Sequence, residues 1–144
     1  MKTKSLFCLI LIFMAGCKTD PLIQPAFNNA FSLDITPEWT LVNLQGTDSY
    51  VGYYESSAGK INFDFGRVSF KSVDEIKKES SVLYYEETVI DNCEAKIIKE
   101  QRTEGMRLSA FIDKRDGAHK TWLYTYNPSS DAKFIGIFKT HRFK

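Results

Sequence analysis

The sequence is poor in the residue types from which most recognisable enzyme sites are built. It contains two histidines, His119 and His141, and three cysteines, Cys8, Cys17 and Cys93. It has no Gly-x-Ser-x-Gly elbow, no phosphate-cradling glycine loop, no histidine pair at zinc spacing and no Cys-x-x-Cys. His119 falls in a charged loop and His141 lies near the C-terminus among Lys139, Arg142 and Lys144, so both read as solvated side chains. Glu86 and Glu87 are neighbours and point to opposite faces of a strand, which removes them as an acid–base pair. Asp113 and Asp116 share a loop with Lys114 and Arg115, too few oxygens for a calcium loop. These absences predict no catalytic residue, no metal site, no cofactor and a protein that is not an enzyme. Charge of one sign is also lacking, with 19 Lys and Arg against 18 Asp and Glu, which excludes electrostatic binding of nucleic acid. The longest apolar run, Leu6 to Ala15, would rise about 15 Å as a helix, half of the ~30 Å that a hydrocarbon core requires. What remains is 144 residues with 43% hydrophobic and 14% aromatic content, enough for one domain with a packed core.

The N-terminus carries the most specific signal. Lys2 and Lys4 precede the apolar run, and Met14-Ala15-Gly16-Cys17 closes it, so residues 1–16 read as a signal peptide. Met14-Ala15-Gly16-Cys17 resembles the lipobox of bacterial lipoproteins, with Met14 where that family most often has Leu. The resemblance implies that Cys17 receives a diacylglyceryl group, becomes the first residue of the mature chain and is acylated on its amine. The competing reading is an ordinary secretory signal with an incidental cysteine. Each buried methylene contributes about 0.8 kcal/mol, so several acyl chains hold a protein on a membrane where one would not. Lys18 stands at the position where Asp signals inner-membrane retention, and only Asp20 is acidic nearby. The resemblance therefore points to the periplasmic face of the outer membrane over the outside of the cell, to which a cluster of acidic residues after the cysteine directs some lipoproteins. Removing residues 1–16 takes away Lys2 and Lys4 and no acid, which leaves 17 basic against 18 acidic residues. Cys93 is then the one cysteine not spent on signal or lipid, so no internal disulfide can form. It reads either as a half-buried small apolar residue beside a turn or as a reactive thiol.

Residues 17–30, with Pro21, Pro25, Asn28 and Asn29, read as a lipidated tether able to set a domain roughly 20 Å from the bilayer. Residues 31–144 read as one globular domain. Phe31, Leu33 and Ile35 alternate with polar residues before a turn at Pro37-Glu38, and strands are expected over 40–45, 50–55 and through Ile61, Phe63 and Phe65. Ser72-Val73-Asp74-Glu75 has the form of a capping box opening a short helix over 73–80. An antiparallel meander follows: 84–90 and 93–99 around an Asp91-Asn92 type I′ turn, then Met106 to Ile112, then 120–126. Ser129 or Ser130 caps a helix over 131–139, and 140–143 adds a closing strand.

This order predicts an α+β fold, an antiparallel sheet of about six to eight strands packed by one or two short helices. The opening Phe31-x-Leu33-x-Ile35-x-Pro37-x-Trp39, the Asp91-Asn92 hairpin and the late helix before Lys139-Thr140-His141-Arg142-Phe143 resemble the PsbP/Mog1-like α/β/α sandwich. That resemblance implies a non-catalytic binding or assembly role; with the lipobox it places that role in the cell envelope, where an envelope protein or a glycan is the expected partner, nucleic acid being excluded by the near-neutral charge. The alternatives are a structural or inhibitory interaction domain, or an envelope enzyme with an unrecognised site. Trp122, Tyr124 and Tyr126 share one strand face opposite Thr121, Leu123 and Thr125, and Tyr53 and Tyr54 lie on another expected strand. Their apolar rings and polar edges suit a ligand or partner surface. Core packing of the same rings competes, because Thr-Leu-Thr reads as a poor core face.

Overall fold

Alternation of apolar and polar residues, read as period two, builds nearly the whole molecule. The computed structural model describes residues 24–27, 30–66, 73–76, 78–79 and 81–144. In chain order the elements are β1 (Gln24–Phe27), β2 (Phe31–Ile35), β3 (Thr40–Leu44), β4 (Ser49–Ser56), β5 (Gly59–Gly66), α1 (Val73–Ile76), β6 (Val82–Ile90), β7 (Cys93–Arg102), β8 (Gly105–Asp113), β9 (Lys120–Tyr126), α2 (Asp131–Lys139) and β10 (Arg142–Phe143). Seven strands form one sheet in the order β3-β4-β5-β9-β8-β7-β6, and β1-β2-β10 form a second. Every described strand pair is antiparallel.

Local chemistry sets the joints between these elements. Asp91 and Asn92 take φ of 52° and 60°, the left-handed conformation that a two-residue hairpin turn requires, and they pair Ile90 with Cys93. The Ser130 hydroxyl accepts from the Lys133 amide at 3.3 Å and starts α2. At the other end of α2 the Thr140 hydroxyl donates to Ile137 O and accepts from Asp34 N, which ties the helix to β2. Ser72, expected as the cap of the first helix, lies outside the described residues.

One face of the large sheet is covered by the small sheet and α2. Phe31, Leu33 and Ile35 from β2 and Phe134 and Phe138 from α2 meet Ile61, Phe63, Leu108, Ala110, Ile112 and Leu123 in one core. Burial of each of the large side chains contributes about 1.5–3 kcal/mol, and among the described residues no disulfide adds to it. Gly52 makes room for this packing. A Cβ there would stand 2.4 Å from Val42 O and 2.7 Å from Phe63 Cζ, so the Phe63 ring lies across bare backbone.

Three expectations require correction. Gln24–Phe27, within the stretch read as a tether, pairs antiparallel with β2 from Gln24↔Ile35 to Phe27↔Ser32. The core face of β9 is Thr121-Leu123-Thr125 and not the Trp and Tyr face. The Thr121 hydroxyl is satisfied by His141 at 3.0 Å, and small β-branched residues leave volume for the rings arriving from β2 and α2. Finally, the fold is strand-dominated. An antiparallel sheet with short helices is present as expected, and among the described residues the helical part is α1 with four residues and α2 with nine, so strands outweigh helical layers.

Candidate binding face

The face of the seven-stranded sheet turned away from the main core gathers most of the aromatic residues singled out in the sequence. Registers across the strands place Tyr53, Asn62, Tyr124, Ser109, Ile98 and Tyr85 in one row. The next row runs Asp64, Trp122, Phe111 and Lys96, and on the other side Tyr126 pairs with Arg107 and Arg107 with Glu100. Tyr53 and Tyr124 flank Asn62 two strands apart, about 10 Å.

The structure divides the expected residues into three groups. Tyr54 is 1% exposed and belongs to the core, where its ring centroid is 5.9 Å from that of Phe63. Its place on a candidate surface is therefore withdrawn, since alternation turns it inward when Tyr53 turns out. Trp122 is half-buried in a second, smaller cluster with Ile76 of α1, Ile98 and Phe111. Its ring stacks on Phe111 (5.7 Å, 8°) and on Tyr124 (4.3 Å, 26°), and the Arg107 guanidinium lies 5.1 Å from it. Tyr53, Tyr124 and Tyr126 line the remainder of the face, each half-buried. Lys60 Nζ sits 4.0 Å above the Tyr53 ring, and Tyr126 meets Tyr124 edge to face at 5.9 Å. Burial, helped by the neighbouring Tyr126, raises the Tyr124 pKa and keeps its hydroxyl a neutral hydrogen-bonding group.

Sequence reasoning missed the charged centre of this face. Glu100 is 1% exposed, its Oε1 accepts from Arg107 Nε at 2.9 Å and Nη2 at 2.5 Å, and its Oε2 pairs with Arg102 at 2.5 Å. Burial works against the Arg107 charge, but the Glu100 hydrogen bond and field outweigh it and raise its pKa. The β7–β8 register, which runs from Arg102↔Gly105, was the available signal, because it sets Glu100 opposite Arg107. On the same face Asp64 Oδ1 and Ser109 Oγ are buried without a hydrogen-bond partner among the described residues.

Among the described residues the titratable groups elsewhere do not assemble a nucleophile with a base. His141, expected to be solvated, is fully buried between Phe31 (4.9 Å) and Phe143 (4.5 Å) and shares a hydrogen bond with the equally buried Thr121. The correction follows from β10, which turns the last residues back along β2. Burial lowers the His141 pKa to about 4, with Asp91 opposing and Arg142 adding to the shift. His119 Nδ1 lies 2.5 Å from Asp116 Oδ2 in the exposed loop. Cys93 is half-buried, its thiol donates to Asp91 O at 3.3 Å, and burial followed by the Asp91 charge pushes its pKa up, away from the thiolate. Among the described residues no three His, Cys, Asp or Glu side chains come together as a metal site, and no helix is long and apolar enough to cross a membrane. Cys17 lies outside the described residues.

Comparison with known proteins adds the fold. No protein-family model matches the sequence, and no functionally described protein does. The structure is similar to the solution structure of cyanobacterial PsbP (CyanoP) from Synechocystis sp. PCC 6803, with a TM-score of 0.60 over 92% of this chain and 99% of that one. The chain has a PsbP-like fold. Sequence identity to CyanoP is 9%, so the likeness concerns the fold and carries no site residue across. Within the PsbP-like fold the outer sheet face of this chain is defined by its own residues, Tyr53, Asn62, Tyr124, Tyr126 and Arg107.

Proposed function

We propose that the chain is a bacterial lipoprotein anchored through lipid on Cys17, and that its PsbP-like domain is a non-catalytic binding or assembly module of the cell envelope. The anchor reading rests on Met14-Ala15-Gly16-Cys17 after a short apolar run. The observation that carries the binding role is the row Tyr53–Asn62–Tyr124 beside Tyr126 and Arg107, a polar-aromatic face held on rigid strands. Tyr and Arg combine apolar contact area with hydrogen-bonding tips, the composition of protein interfaces and of glycan-stacking surfaces. A face built on paired strands keeps its shape without a partner, which lowers the entropic cost of binding. Because β1 begins at Gln24, the covalent chain from Cys17 to the domain can span at most about 25 Å, which bounds how far the proposed anchor lets the domain stand from the bilayer. The proposed location is the periplasmic face of the outer membrane.

A photoreactive phenylalanine analogue placed at Tyr53 tests this in whole cells. Irradiation is expected to give a discrete higher-mass adduct, sensitive to protease for a protein partner or to glycosidase for a glycan. The same group at Thr47, an exposed loop position, is expected to give none. Absence of an adduct from both Tyr53 and Tyr126 positions removes the binding-face reading.

A further inference from the structure

Among the described residues β6 is the terminal strand of the large sheet, joined to β7 alone. Its nine residues span about 30 Å, longer than most edge strands, and a terminal strand presents backbone donors and acceptors to any strand laid beside it. A bulge and the Glu86 and Glu87 carboxylates blunt this edge in part, but apolar side chains stand out along it, with Leu83 61% exposed, Val89 67% and Tyr84 42%. Leu83 is the extra residue of a bulge between Val82 and Tyr84, which makes it protrude. Beside Val89 lies a depression of about 450 Å³ lined by Glu87, Thr88, Val89, Glu94, Ala95 and Lys96.

We propose that β6 is a self-association edge on which two copies of this chain pair antiparallel about a two-fold axis at Glu86, joining their large sheets into one. The sequence of the strand is self-complementary about that point. Pairing residues equally far from Glu86 sets Leu83 of one copy against Val89 of the other, next to the depression, and Tyr84 against Thr88. It also sets Tyr85 against Glu87, the same two side chains that already hydrogen-bond within one strand at 2.8 Å. The only like charges brought opposite each other are the two Glu86 carboxylates. Each is held by its own Lys139 at 2.8 Å, so the axis carries two carboxylates and two ammonium groups. Isologous two-fold pairing is the commonest closed assembly, and it uses the exposed knob and the depression twice. The self-association edge is independent of the Tyr53–Tyr124 face, which lies on other strands.

Sedimentation equilibrium of the purified full chain in density-matched detergent is the test. The wild-type chain is expected to show a concentration-dependent dimer. Leu83→Lys and Val89→Lys each enter the interface twice, and each is expected to weaken dimerisation about tenfold or more while leaving the circular dichroism spectrum that of the folded chain. In a Cys93→Ala background, Leu83→Cys and Val89→Cys variants are expected to cross-link when mixed and oxidised. Opposed strand residues lie about 4.5–5.5 Å apart at Cα, within disulfide range, whereas each variant alone sets its cysteines far apart. A chain that stays monomeric overturns the proposal. So does a dimer indifferent to both lysine variants, or a mixture that cross-links no better than its components.

Discussion

Glu100→Ala is expected to lower unfolding free energy by about 3–5 kcal/mol, the usual cost of removing one partner from a buried ion cluster. The Glu100 carboxylate is 1% exposed and bound by Arg107 and Arg102, with Arg102 also 3.8 Å from Glu79. Truncation removes the anion and leaves Arg107, itself mostly buried, facing Trp122 and Tyr126 with no countercharge. Glu100→Gln keeps the shape and is expected to cost less, because an amide oxygen still accepts from a guanidinium. The double variant Glu100→Leu with Arg107→Met is expected to recover much of the loss, since an apolar pair avoids desolvating charge. Urea unfolding monitored by circular dichroism gives these differences. A loss below about 1 kcal/mol for Glu100→Ala would mean that water already solvates the cluster.

The second large effect is a loss of stability in acid that belongs to His141. Its folded pKa of about 4 lies below the ordinary 6.5, because burial between Phe31 and Phe143 disfavours the cation. In that interval the unfolded chain binds a proton that the native chain does not, so stability rises with pH. The contribution is fully present above pH 6.5 and is lost as pH falls toward 4, up to about 3 kcal/mol for one group. His141→Phe keeps the ring stacking but strands the buried Thr121 hydroxyl, which costs about 1–3 kcal/mol at neutral pH. The variant is therefore expected to be less stable at pH 7 and to show a flatter pH dependence between 6.5 and 4. An unchanged slope in the variant would assign the acid sensitivity to other groups.

These two residues also show where reading the sequence stops. Strands announced by alternation, such as Ile61-Phe63-Phe65, and turns announced by local chemistry, such as Asp91-Asn92 and Ser130, form where expected because their causes lie within a few residues. The features that were missed depend on partners far along the chain. Gln24–Phe27 contains Pro25 and shows no clear alternation, and β2 is what gives it a strand to pair with. Thr121 is acceptable in the core because His141, twenty residues later, takes its hydroxyl. Alternation separates Tyr53 from Tyr54 but does not say which faces the core; that follows from the Gly52–Phe63 packing on one side of β4. Glu100 is charged, and only the β7–β8 register brings Arg107 to it. Trp122 was legible as part of an aromatic face, whereas its partial covering by Ile76 of α1 was not.

The central claim, a lipid-anchored envelope protein, turns on the chemical state of Cys17. Mass spectrometry of the chain extracted from its native membrane, alongside a Cys17→Ala variant, reads that state directly. The account predicts a mature N-terminal peptide that begins at Cys17 and carries diacylglyceryl and acyl mass, absent from the variant. An unmodified N-terminus recovered in the soluble fraction would contradict it.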